Sequence, residues 1–168
     1  LLHEVCNQTR TWKEAMGELY GPITAVASNP IHVATDGSCI GNGRTRAAAG
    51  AGVYWGPGNS KNTSVRLHGA LQTNNRAQLL AVLVAIDAAD PARKLIIHSD
   101  SEYAIRSVAE WAPARAELGW HCTNADLLRS IQESIARRGA AIHFNWVPGH
   151  KGNSWNEAAD GLAREGAA

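Results

Sequence analysis

Cysteine is scarce. Cys6, Cys39 and Cys122 are odd in number, widely spaced and free of any CxxC pair, which argues against a disulfide framework or a thiolate zinc site. A reducing, intracellular compartment is the default expectation. No run approaches the roughly eighteen apolar residues of a membrane span, and no basic-then-apolar leader opens the chain, so neither a membrane nor secretion is expected. Internal repeats and low-complexity segments are missing as well. Charge of either sign is nearly balanced: the net value is +1, which permits contact with nucleic acid without announcing it. The chain opens on Leu1 instead of Met, so it is expected to be a segment of a longer polypeptide.

What is present is an apolar content of 45% over 168 residues, enough for a sizeable core in one domain. The rest can be arranged around Ile31 to Asn42, IHVATDGSCIGN. An apolar run short enough for a buried strand drops onto Asp36, and Gly37, Gly41 and Gly43 are expected to end it in a turn where a ligand can approach the backbone. Asp100 closes a similar run, Lys94 to Ser99 (KLIIHS), and Asp160 lies in Trp155 to Glu165, which reads as helix. Taken singly, each acid reads equally well as a solvated cap.

Leu1 to Pro30 holds a short helical pattern, Thr9 to Leu19, followed by the breakers Gly21, Pro22, Ser28, Asn29 and Pro30. It reads as a linker or the remnant of an upstream domain, with the folded domain over 31–168. After the Asp36 strand, Gly50 to Gly56 and Thr63 to Leu67 flank Pro57-Gly58-Asn59 and predict a hairpin. Asn74 to Ala88 predicts a nearly buried helix, with Leu79, Val82, Leu83 and Ile86 on one face. Gln78, in its first turns, must point at something polar. A strand over Lys94 to Asp100 and a helix over Ser101 to Trp111, broken by Pro113, come next. Ala125 to Arg138 predicts a helix N-capped by Asn124 and stopped by Gly139. A last strand, Ala141 to Val147, leads through Pro148-Gly149-His150-Lys151-Gly152-Asn153 to the closing helix. This order describes an α/β domain with a mixed sheet.

Asp36 and Asp100 both fall near the carboxyl ends of strands, the edge where open α/β sheets bind ligands. Neighbouring buried carboxylates repel and need a cation. No Lys or Arg stands on those strands, and an all-oxygen donor set favours Mg²⁺ or Mn²⁺. A pair of such ions clamps the attacking and leaving oxygens of phosphoryl transfer.

Six blocks, ATDGSCIGNG, GVYWGPG, QTNNRAQL, IIHSDSEYAI, TNADLL and WVPGHKGNSWNEAADGLAREG, stand in the order and spacing of type 1 ribonuclease H, which the chain resembles from roughly Pro30 to Gly166. The resemblance implies a five-stranded mixed sheet flanked by helices, two Mg²⁺ ions with Mn²⁺ as a substitute, and hydrolysis of the RNA strand of an RNA/DNA hybrid to 5′-phosphate and 3′-hydroxyl ends. It assigns Asp36, Asp100 and Asp160 to three of the family's four metal-binding acids. At the fourth position the family has Glu and this chain has Gln78. A neutral amide can still ligate through its oxygen but removes one negative charge. Gln78 is therefore expected to weaken or inactivate the site, either as an engineered replacement that holds substrate uncut or as a natural impairment.

By the same resemblance His150 is the mobile histidine that assists proton transfer or departure of product and metal, a task suited to imidazole. Glu157, one turn before Asp160, resembles the auxiliary acid near the second ion, although alone it reads as a surface acid. His98 has no family role and reads as structural. Asn42, Asn74 and Asn75 match positions that contact the 2′-hydroxyl, which donates and accepts as amides do. Thr73 and Asn124 resemble a pocket for a phosphate of the DNA strand, with Leu71 where the family often has Arg. Trp111 and Trp120 match aromatics along the DNA-strand channel, and Trp120 reads equally well as core.

Between those tryptophans, cellular members carry a lysine-rich protrusion, whereas Ala112 to Cys122, APARAELGWHC, has no Lys. Phosphate contacts dominate affinity, so modest binding is expected, with Arg44, Arg46, Arg76 and Lys151 as the cations near the asparagine rim. The domain is expected to be monomeric in isolation and to be delivered by a larger polypeptide such as a retroelement reverse transcriptase. A trimmed cellular enzyme is the alternative for its origin. A hybrid-binding module that no longer cuts is the alternative for its function, and a DNA-cutting relative is disfavoured by the intact asparagine set.

Overall fold

The computed structural model describes residues 11–25 and 29–168. Cys6 and the start of the first predicted helix lie outside them. Strands β1 (Ile31–Ile40), β2 (Ala48–Tyr54), β3 (Thr63–Arg66), β4 (Leu95–Ser99) and β5 (Ile142–Trp146) form one mixed sheet in the order β3-β2-β1-β4-β5. The first three pair antiparallel, and β4 and β5 continue parallel to β1. That topology follows from tight turns early in the chain and helical crossovers later.

Six helices are described: α1 (Trp12–Tyr20), α2 (Asn74–Ala88), α3 (Glu102–Arg106), α4 (Ala112–Glu117), α5 (Ala125–Ala136) and α6 (Ser154–Ala167). Leu79, Val82 and Ile86 of α2 join Val33, Val53, Leu95, Ile97 and Ile131 in the core. Each such side chain contributes roughly 1.5–3 kcal/mol on burial. On β2, a Cβ at Gly50 or Gly52 would strike the backbone of α6, so the absence of side chains there lets the closing helix lie directly on the sheet.

Three expectations change. β1 does not end at Asp36 but runs on to Ile40, buried from Val33 to Gly37. Gly37 makes no turn; a Cβ there would strike the backbone of Ala77 and Gln78, so its role is to admit α2, and the turn comes at Gly41 and Gly43. Pro113 breaks no helix. A π turn over Ser107–Trp111 joins α3 to α4, and Pro113 falls in the first turn of α4, where its missing N–H is tolerated. Asn124 stands at the start of α5 in a left-handed conformation, φ 62°, without a side-chain cap bond. Its amide is occupied elsewhere.

Residues 12–20 pack on the domain: Gln132 Nε2–H donates to Leu19 O at 3.0 Å. Thr11 caps this helix by accepting from Glu14 N–H at 3.2 Å.

Candidate active site

The parallel pairing of β1 with β4 stops at Thr35 opposite Ser99. The next residue along the chain in each case is an acid, Asp36 within β1 and Asp100 just past β4, so both stand where the parallel ladder ends. Asp160 of α6 faces them across a polar cavity of about 410 Å³, which Gln78, Asn74 and His150 also line. Asp36 is 3% exposed. Burial first, then the neighbouring Asp100, pushes its carboxyl up to about 7, with Asp160 adding to the rise and hydrogen bonds from Gln78 and Gly37 opposing it.

Those two bonds come from Gly37 N–H at 2.8 Å and Gln78 Nε2–H at 2.8 Å, both to Asp36 Oδ1. Gln78 Oε1 is buried and has no hydrogen-bond partner. An unpartnered buried acceptor costs about 1–3 kcal/mol, so a group that takes up its lone pair is favoured. Three carboxylates and this amide oxygen form an oxygen-only donor set that fits a hard divalent cation. Among the described residues they line the cavity without three acidic, His or Cys side chains closing into one ligand cluster.

Asp160 Oδ2 is paired with Arg164 at 3.0 Å, one turn along α6. Sequence reading missed Arg164, although its spacing from Asp160 was the available signal. His150 is exposed at the cavity rim with φ 55°. Its loop leans on the acids: a Cβ at Gly149 would lie 2.6 Å from Asp100 Oδ2. Glu157 is exposed and lies outside the cavity lining, one turn before Asp160.

On the rim, Asn42 Oδ1 accepts from Asn74 N–H at 3.3 Å, and Asn75 is exposed beside them. Thr73 caps α2, its hydroxyl accepting from Arg76 N–H at 3.1 Å. Arg76 is not a free cation. Its guanidinium is largely buried and grips Asp126 with two bonds of 2.9 and 2.8 Å, and it also donates to Asn124 Oδ1 at 3.3 Å. The bonded guanidinium holds the Asp126 carboxyl below its ordinary value. Asn124 Nδ2–H in turn donates to Tyr103 Oη at 2.8 Å. One buried arginine thus ties Thr73 to Asn124, a link invisible until α2 and α5 are packed together. Leu71 is exposed nearby in sequence.

Trp111 and Trp120 are half-buried and do not line the acid cavity. The Arg115 guanidinium lies 4.9 Å from the Trp111 ring centroid, and Trp120, with φ 61°, packs partly against the core. His98 belongs to a separate polar cluster, 2.9 Å from His32 Nδ1 and 2.9 Å from Asn145 Nδ2.

A family model described as RNase H matches residues 28–168. Ribonuclease H1 of Rattus norvegicus is 41% identical over 143 residues, covering 82% of this chain and 50% of that protein. Ribonuclease H of Paramagnetospirillum magneticum is 34% identical over 153 residues, covering 86% of this chain and 94% of that protein. The chain spans about half the length of the mammalian relatives it matches. Among solved structures, LC9-RNase H1, described as a type 1 RNase H with the type 2 active-site motif, superposes with a TM-score of 0.67 at 29% identity, covering 84% of this chain and 74% of that one.

Proposed function

The chain belongs to the RNase H family, and from that premise we propose that the acid-lined cavity hydrolyses the RNA strand of RNA/DNA hybrids, at a rate held down by Gln78. The observation that carries this reading is the convergence of Asp36, Asp100 and Asp160 on one cavity, with the Asp36 carboxyl raised by burial first and then by Asp100, beside the unpartnered oxygen of Gln78. Asp36, Asp100 and Asp160 would hold two divalent cations, Mg²⁺ by preference and Mn²⁺ as a substitute, with Gln78 as a neutral fourth donor once its amide turns over. When bound there, such a pair would supply Lewis-acid chemistry for a hydrolytic water and a leaving oxygen.

The chain's own side chains supply the rest. His150, on a loop at the rim, takes or returns a proton at its imidazole as product leaves. Glu157, one turn before Asp160, would be the auxiliary acid for the second ion. Asn42, Asn74 and Asn75 exchange hydrogen bonds with 2′-hydroxyls across the minor groove. Thr73 and Asn124, joined through Arg76, receive a phosphate of the DNA strand, and Trp111 and Trp120 line that strand's path. The domain over 31–168, with the helix over 12–20 packed on it, works as part of a larger polypeptide. A retroelement reverse transcriptase is our first choice of parent and a cellular ribonuclease H the second.

A second reading, a hybrid-binding module that does not cut, draws on the bond from Gln78 to Asp36, which offsets part of the cost of that buried acid without a cation. The two separate on a hybrid labelled on both strands. Scission of RNA alone in Mg²⁺ or Mn²⁺ supports the nuclease; retention of the hybrid with both strands intact supports the binding module; scission of the DNA strand refutes both.

A further inference from the structure

The helical run from Glu102 to Glu117 contains Pro113. Proline brings no N–H, so the carbonyls four and five residues before it, Ala109 and Val108, receive nothing from that position whether the turn is α or π. Both receive bonds from elsewhere. Trp12 Nε1–H donates to Ala109 O at 2.9 Å, and Tyr20 O–H donates to Val108 O at 2.7 Å. Both donors stand on α1, four residues either side of Met16 and so on one face. Burial raises the Tyr20 phenol well above its ordinary value, so it remains a donor throughout the usual pH range. The bond from Gln132 to Leu19 O ties the same helix to α5.

The π turn held in this way leads into α4. That helix ends in a turn closed by Leu118 N–H on Ala114 O at 3.2 Å, Gly119 N–H on Ala116 O at 3.0 Å and Trp120 N–H on Arg115 O at 2.8 Å. Trp111 ends the π turn, with Arg115 of α4 over its ring. The direction of α4 therefore fixes where Trp111, Arg115 and Trp120 stand relative to one another.

We propose that Trp12 and Tyr20 are positioning residues for the strand channel: their two ring donors hold the π turn before Pro113 and thereby set the placement of Trp111, Arg115 and Trp120. The role in the channel rests on the proposed function; the hold on the turn does not. If α1 merely covers apolar surface, phenylalanine at both positions serves as well. If the donors matter, phenylalanine fails, and the one N–H restored at residue 113, which can serve only one of the two carbonyls, recovers part of the loss.

The test uses the full chain and its variants Trp12→Phe/Tyr20→Phe, Pro113→Ala, and all three together. Dissociation constants for a hybrid are measured without divalent cation, alongside amide exchange at Leu118, Gly119 and Trp120. The double variant is expected to bind about tenfold more weakly and to lose about tenfold protection at those amides, the equivalent of two neutral hydrogen bonds. Adding Pro113→Ala is expected to make up for one of the two bonds, so that in the Pro113→Ala background the double substitution costs only about threefold in both readouts, as a shared interaction requires. Unchanged binding and protection in the double variant, or a loss that Pro113→Ala does not relieve, overturns the proposal. A parent chain that binds no hybrid refutes the proposed function, and amide exchange then decides the positioning claim alone. If the double variant does not fold, Trp12→Phe, at a side chain 59% exposed, is compared in the same way.

Discussion

Asp36→Asn tests the electrostatics of the cavity without touching its shape. In the metal-free chain the folded Asp36 carboxyl is raised from 3.8 to about 7, so the folded state holds this proton more tightly than the unfolded state does. Its contribution to stability is full below about 3.8 and is lost as pH rises through about 7. A rise of about three pH units at 1.36 kcal/mol each makes the loss about 4 kcal/mol at most. For a domain of this size 1 kcal/mol moves the melting temperature by about 2–4 °C. The Asn variant, neutral at every pH, is therefore expected to melt close to the parent at pH 4 and about 10 °C above it at pH 8. Differential scanning calorimetry in EDTA at pH 4, 6 and 8 measures the gap. A gap that stays constant with pH, or one that shrinks as pH rises, refutes the claim that Asp36 is a destabilised buried acid.

Gly149→Ala adds a methyl 2.6 Å from Asp100 Oδ2, and single-turnover assays are expected to show at least a tenfold drop in cleavage with under about 1 kcal/mol lost in urea unfolding. Asn75→Ala is expected to erode the preference for hybrid over duplex DNA, measured as the ratio of two dissociation constants, while divalent-cation binding stays as in the parent. With Arg76 committed to Asp126, the cations left near the rim are Arg44, Arg46 and Lys151. The slope of log affinity against log salt should then be roughly −2 to −3 at −0.9 per phosphate. A slope near −8 reveals a basic surface beyond these three and removes the reason to invoke delivery by a larger polypeptide.

Much of the architecture was legible because its signals are local. The Pro57-Gly58-Asn59 turn, the apolar face of Asn74–Ala88 and the short run KLIIHS each specify an element without reference to the rest of the chain. What escaped was long-range. β1 reads as ending at Asp36 because its next residues are small and polar, yet they are small so that α2 can press on Gly37. Pro113 reads as a helix end, but α1, some ninety residues earlier in sequence, supplies donors to the Ala109 and Val108 carbonyls four and five residues before it. Around the cavity, the acids stood out by falling inside recognisable blocks, although only Asp100 follows an element end, Asp36 lying within β1 and Asp160 within α6. The pairing of Arg76 with Asp126 and the second role of Asn124 depend on two helices meeting, which no spacing within either helix encodes.

The most direct test of the central claim is Gln78→Glu, assayed on a hybrid with labelled RNA in Mg²⁺. An acid at that position adds a charged oxygen to Asp36, Asp100 and Asp160 and should tighten the cations. The account predicts that RNA-strand cleavage rises by orders of magnitude, leaving 5′-phosphate ends, and that half-maximal Mg²⁺ falls. Equal rates and equal Mg²⁺ dependence in the Gln and Glu forms would contradict it.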